Sequence, residues 1–129
     1  MGEQVVLELP PRFYDALALL HCGEYFECHE VLEELWREEP TSLRLFYQGI
    51  LQVAVGCYHL TVRHNRRGGV NKLREGLAKL QQFPAVMGLL DVEDLRQQVQ
   101  ALLERVQQMS DEEIACLQAQ PLLSVRYLG

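Results

Sequence analysis

SLRLFYQGILQVAVGCYHLTVRH, residues 42–64, is the stretch whose reading decides the fold. On a helical wheel at about 100° per residue it is apolar nearly all round, with Leu43, Phe46, Ile50, Val53, Cys57 and Leu60 on one side. That pattern predicts a central helix with others packed around it. Its longest apolar run, Ile50 to Val55, is broken by Gln52 and falls well short of the ~20 residues that a membrane span needs. Gln48, Gln52 and His59 fall in a stripe about 40° wide on the remaining side. Gly49 and Gly56 flank the stripe, and their missing side chains leave room for a close helix or a ligand.

The neighbouring segments supply the packing partners. Upstream, Pro10 and Pro11 suit a first helical turn, and Phe13, Ala16, Leu17 and Leu20 repeat at helical spacing until Gly23 ends the run. A second helix spans Tyr25 to Arg37. Pro40 forbids its continuation, and Thr41 or Ser42 can cap the central helix. Downstream, Asn65 to Gly69 reads as a turn, followed by a helix from Val70 to Gln82 with Pro84 just beyond. Asp91 caps a fifth helix that faces inward through Leu95, Val99, Leu102, Leu103 and Val106. Ser110 and Glu113 have capping-box spacing for a short sixth helix. Pro121 to Gly129 reads as an extended apolar tail. Only Gln4 to Leu9 alternates as a strand would, too little for a sheet. The expected fold is all-α: one domain over residues 1–129, an irregular bundle of about five to six helices built on two helical hairpins.

Composition narrows the class. Apolar residues at 48% and charged residues at 23% are globular values, and a net charge of −6 argues against nonspecific nucleic-acid binding. Met1 to Pro10 has no basic region leading into an apolar one, so no signal peptide is expected. The expectation is a cytoplasmic protein with no membrane segment. Cys22, Cys28, Cys57 and Cys116 form no CxxC pair. All four are expected as reduced, buried, small hydrophobes. Charge is segregated: Glu24 to Glu39 holds seven glutamates and one arginine, Arg63 to Lys79 six basic residues and one glutamate. Two solvated faces account for that.

One constellation is out of place for a pure scaffold. On the second helix Tyr25, Cys28, Leu32, Leu35 and Trp36 share the apolar face, with Glu27, Glu30 and Glu34 opposite. His29 and Glu33, one turn apart, lean in at the edge. His29, Glu33, Gln52 and His59 are therefore expected to meet in one pocket walled by Tyr25, Trp36 and Tyr58, with Gln48 on the same stripe. Three uses are open: a satisfied hydrogen-bond network that only sets helix register; a divalent-metal site (zinc or iron) with His29, Glu33 and His59 as ligands; or a metal-free site in which the same three residues work as a Glu–His general base on a small ligand, giving hydrolase-like chemistry.

Known motifs fit poorly. His29-Glu30-Val31-Leu32-Glu33 is HExxE and lacks the second histidine of the zinc proteases. Phe26 stands where a di-iron bundle would need Glu in Glu-x-x-His. Arg66, Arg67, Gly68 and Gly69 open a helix and form a weaker candidate for an anion, although a cap and a turn also explain them. The rival to any site is a non-catalytic interaction module. The tail from Leu122 to Leu128 offers a route to an oligomer or a protein partner.

Three blocks carry a resemblance. They are Gly23-x-Tyr25-Phe26-Glu27-x-His29-Glu30-x-Leu32-Glu33-x-x-Trp36, then Gly49-x-x-Gln52-x-Ala54-x-x-x-Tyr58-His59, then the turn and helix entry from Asn65 to Leu73. Over Phe13 to Phe83 the chain resembles the small helical bacterial and archaeal proteins grouped as domain of unknown function 309. The resemblance implies an all-helical fold and no particular activity. It puts His29, Glu30, Glu33, Trp36, Gln52 and His59 at the family's motif positions, including Glu30, which the wheel leaves in solvent. Cys28 departs from the small residue, such as alanine, expected there.

Overall fold

The computed structural model describes residues 8–118 and 120–128. Six helices and one short hairpin follow in chain order among them. α1 (Pro11–His21) opens on proline and ends before Gly23, which takes φ +79°. α2 (Tyr25–Glu38) stops two residues before Pro40. α3 (Leu43–Thr61) is the central helix, burying Phe46, Tyr47, Ile50, Val53, Ala54, Cys57 and Leu60. The all-α reading holds, and the periodicity that carried it is the cause: apolar side chains of α1 to α5 join in one buried cluster, with α2 and α4 packed on α3, α1 on α2 and α5 on α4. No helix among the described residues is long and apolar enough to cross a membrane.

α4 (Arg66–Leu80) begins four residues before the expected Val70. Asn65 is the reason. Its Oδ1 accepts from the Gly68 amide at 3.0 Å, capping the helix there. Gly68 and Gly69 are thus a first helical turn, not a connecting loop. Glycine is required because α3 lies against it: a Cβ on Gly69 would sit 2.7 Å from the Leu60 side chain, and one on Gly76 would sit 2.6 Å from the Gly49 carbonyl oxygen. Gly49 and Gly56 of α3 face this seam from the other side, each with α4 atoms within 3.4 Å of where its Cβ would be.

The sequence reading misses a hairpin. β1 (Val86–Met87) pairs antiparallel with β2 (Leu90–Asp91) across Gly88, which takes φ +57°. Two residues per strand are too few for alternation to show. Asp91 then caps α5 (Val92–Gln108), and the Ser110–Glu113 capping box opens α6 (Asp111–Ala115), both as expected.

The tail docks on its own chain. Tyr127 bridges to Leu90, and the Asp91 amide donates to the Arg126 carbonyl at 2.9 Å. The Tyr25 hydroxyl donates to the Gln120 carbonyl and accepts from the Leu122 amide, both at 2.8 Å. His21 Nδ1 accepts from the Val125 amide at 3.0 Å, and Leu123 is buried. All four cysteines are unpaired, but only Cys28 and Cys57 are buried; Cys22 and Cys116 are exposed because each lies just past a helix end. Burial pushes the Cys28 thiol up to about 12 and the Cys57 thiol higher still, so neither ionises near neutrality. Residues 4–7 of the alternating Gln4–Leu9 segment lie outside the described residues.

Candidate functional site

The polar stripe on α3 becomes the floor of a groove of about 280 Å3. Gln48, Leu51, Gln52 and Val55 form that floor, Glu33 and Trp36 of α2 one wall, and Lys72 of α4 the other. From Gln48 to His59 the stripe is about 16 Å long at the helical rise. Sequence reasoning placed Glu33, Trp36, Gln48 and Gln52 together, and they do line one space. Leu51, Val55 and Lys72 were not anticipated, nor was Glu75, whose carboxylate accepts from Gln52 Nε2 at 3.2 Å and from Lys72 at 3.1 Å. The signal for Lys72 and Glu75 was their place beside Gly69 and Gly76 on α4. It was hidden because that stretch reads as a basic solvated face.

The expected histidines sit elsewhere. His29 is half-buried against Phe26, ring centroids 5.9 Å apart, and Phe26 lies equally close to Tyr58. His59 lies over the first turn of α4, where a Cβ on Gly68 would come within 3.2 Å of its ring. Burial, then Arg63 and Lys72, lower its pKa, which disfavours the charged imidazolium. Tyr25 is committed to the tail. Neither histidine, nor Tyr25 or Tyr58, lines the groove. Glu30 is exposed on the outer face of α2, as the wheel places it.

Metal chemistry does not fit this arrangement. Among the described residues no three His, Cys, Asp or Glu side chains are grouped closely enough to share a metal ion. His59 faces two cations, and Glu33 meets Arg37 at 3.5 Å rather than an imidazole. The anion candidate is also occupied in part. Arg66 donates to the Met109 carbonyl and pairs with Asp111, tying α4 to α6. The Gly68 amide is spent on Asn65, while Arg67 is exposed.

Three buried atoms have no hydrogen-bond partner among the described residues: Gln52 Oε1, His59 Nδ1 and, at the start of α4, Arg66 Nε. The orientation of the Gln52 amide follows from its neighbour. A carboxylate only accepts, so the NH2 group must face Glu75 and the oxygen must face away. Trp36 is half-buried on the wall, and the Arg44 guanidinium lies 4.5 Å from its ring centroid while Arg44 Nε donates to the Trp36 carbonyl. A second hollow of about 300 Å3 continues past Trp36 and Gln48 toward Thr41 and Ser42. A third, of about 320 Å3, lies between α4 and α5, but its Arg96 is consumed by the Leu80 and Phe83 carbonyls and by Glu93.

Residues 13–72 match the family model described as Domain of unknown function (DUF309). That segment is similar to the family. The DUF309 segment ends at Lys72, so every residue lining the groove falls inside it and Glu75 lies just beyond. Among curated proteins, the chain is 35% identical over 105 residues to the "Uncharacterized protein YpuF" of Bacillus subtilis (strain 168), an alignment covering 78% of this chain. The chain spans about 60% of the length of that relative. Neither description carries an activity.

Proposed function

We propose that the chain is a small-ligand-binding protein, with the groove between α2, α3 and α4 as its site and Gln52 at its centre. The observation that supports this is the buried, unpaired acceptor on Gln52. A polar network that served only to fix helix register would close its own hydrogen bonds, because an unpaired buried polar atom costs about 1–3 kcal/mol. Gln52 is only 9% exposed, yet half of its amide is unpaired. A ligand that donates a hydrogen bond there recovers what folding leaves unmet. The groove joins a carboxylate and two amides to an aromatic wall, and its carboxylate is paired with no imidazole, so binding is favoured over general-base catalysis.

Gln52→Leu tests the reading against the alternative, a non-catalytic interaction module whose polar cluster is structural. Leucine has nearly the same bulk and removes the unpaired acceptor. Glu75, with its side chain 46% exposed, keeps Lys72 and water. For a binding site, urea melts should show stability unchanged or raised. A loss of more than about 1 kcal/mol would make Gln52 a structural member and refute the site.

A further inference from the structure

Resting on the groove as a ligand site, we infer that its ligand is a protonated amine with a short apolar body. The buried unmet valence in the lining of the groove is an acceptor. Gln52 Oε1 needs an N–H or O–H, and no rotation of the amide changes this while Nε2 is held by Glu75. On the α2 wall, Glu33 has one ion-pair partner among the described residues, Arg37 at 3.5 Å, whose side chain is 65% exposed. A carboxylate has about four lone-pair sites, so Glu33 can take further donors.

The cations nearby each have a partner of their own. Lys72, which lines the groove, is 3.1 Å from Glu75. Arg44 lies on the Trp36 ring and holds its carbonyl. Glu33 and Glu75 against Arg37 and Lys72 leave the immediate surroundings formally neutral, so an ammonium meets no net repulsion. Gln52 and Glu33 line the same space, so an ammonium that reaches both the Gln52 oxygen and the Glu33 carboxylate would satisfy both, and charge-assisted hydrogen bonds are about twice as strong as neutral ones. A carboxylate ligand in the same position would face Glu33 and leave Gln52 unpaired.

The rest of the lining describes the body of the ligand. Trp36, Leu51 and Val55 are apolar, and about 280 Å3 is at the lower edge of the range for small-molecule sites. A body of one ring or a few carbons fits. Trp36 and Gln48 also line the second hollow, which gives a longer chain an exit toward Thr41 and Ser42.

Trp36 is the single tryptophan of the chain, so its fluorescence reports on this wall alone. Phenethylamine, protonated at pH 7, is titrated against 3-phenylpropanoate and 2-phenylethanol at matched ionic strength. The amine should give a saturable change, with the carboxylate binding at least about tenfold more weakly. Gln52→Leu and Glu33→Gln should each weaken the amine about tenfold, with circular dichroism confirming that both variants fold. The amine class is overturned if the carboxylate binds as well as the amine, if both variants bind the amine like the parent, or if the amine does not bind. The two readings separate cleanly. When Gln52→Leu keeps its stability and the amine fails, the ligand class falls and the groove stands. When Gln52→Leu loses stability, the groove itself falls.

Discussion

Replacing Gly76 by alanine probes the seam on which the groove depends. A Cβ there would lie 2.6 Å from the Gly49 carbonyl oxygen, 2.8 Å from Val53 Cγ2 and 3.0 Å from the Val53 amide nitrogen. The first distance is about 0.8 Å inside the 3.4 Å at which ordinary contact begins. Two of the three neighbours are backbone atoms and have no rotamer to escape into. α3 and α4 must therefore move apart, at a cost of about 1–3 kcal/mol for overpacking and more if the backbone resists. Helix propensity pulls the other way, since alanine is favoured over glycine inside a helix by about 1 kcal/mol. With two of the three contacts on backbone the cost lies in the upper half of that range, so the expected net loss is about 1–2 kcal/mol, or a fall of roughly 3–10 °C in melting temperature for a chain of this size. Ala78→Gly, at an exposed position of the same helix, measures the propensity contribution separately and should lose about 1 kcal/mol. Thermal and urea melts followed by circular dichroism read both variants. A Gly76→Ala protein as stable as its parent would refute the claim that these helices meet at backbone distance. Val53 adjoins Gln52 and Gly76 adjoins Glu75, so the same variant should stretch the 3.2 Å hydrogen bond that orients the Gln52 amide.

Two further outcomes follow from the same geometry. Burial, then Arg63 and Lys72, lower the His59 pKa below its ordinary 6.5. Between the lowered value and 6.5 the unfolded chain holds a proton that the folded chain refuses, so stability rises with pH through that window and is lost as pH falls through it. His59→Gln should flatten the dependence of the urea midpoint on pH below about 6.5; identical slopes in parent and variant would contradict the assignment. Tyr25→Phe removes both hydrogen bonds to Gln120 and Leu122 and should cost about 1–3 kcal/mol while exposing residues 120–128 to proteolysis; unchanged cleavage would mean that other contacts hold the tail.

Much of this was legible in the sequence, for identifiable reasons. The apolar periodicity of residues 43–61 set the central helix, and Asp91 and Ser110 marked two helix starts through side-chain caps that act locally. The start of α4 was misread because paired glycines usually signal a turn; here they mark where another helix comes close, a tertiary fact that local chemistry cannot show. The hairpin at Val86–Asp91 is held by the tail as much as by its own pairing, so the segment alone carries little signal. At the groove, wheel arithmetic brought Glu33, Trp36, Gln48 and Gln52 together because it needs only the phase of two helices. It could not place Lys72 and Glu75, whose approach depends on the glycine seam. It overreached with His29 and His59, since sharing a helical stripe fixes direction but not distance across a neighbour.

The strap formed by residues 120–128 has a consequence for the order of folding. Its hydrogen bonds span 95 residues from Tyr25 to Gln120 and 104 from His21 to Val125. The α2–α3 and α3–α4 pairs, joined by short connections, can find one another through local search. A contact across about a hundred residues carries the full entropy of closing the loop until those helices are in place. The strap is therefore expected to dock late and release early. Its bonds then act as a brake on unfolding rather than as a guide to folding, so removing the Tyr25 hydroxyl should register in the unfolding rate and leave the folding rate nearly untouched.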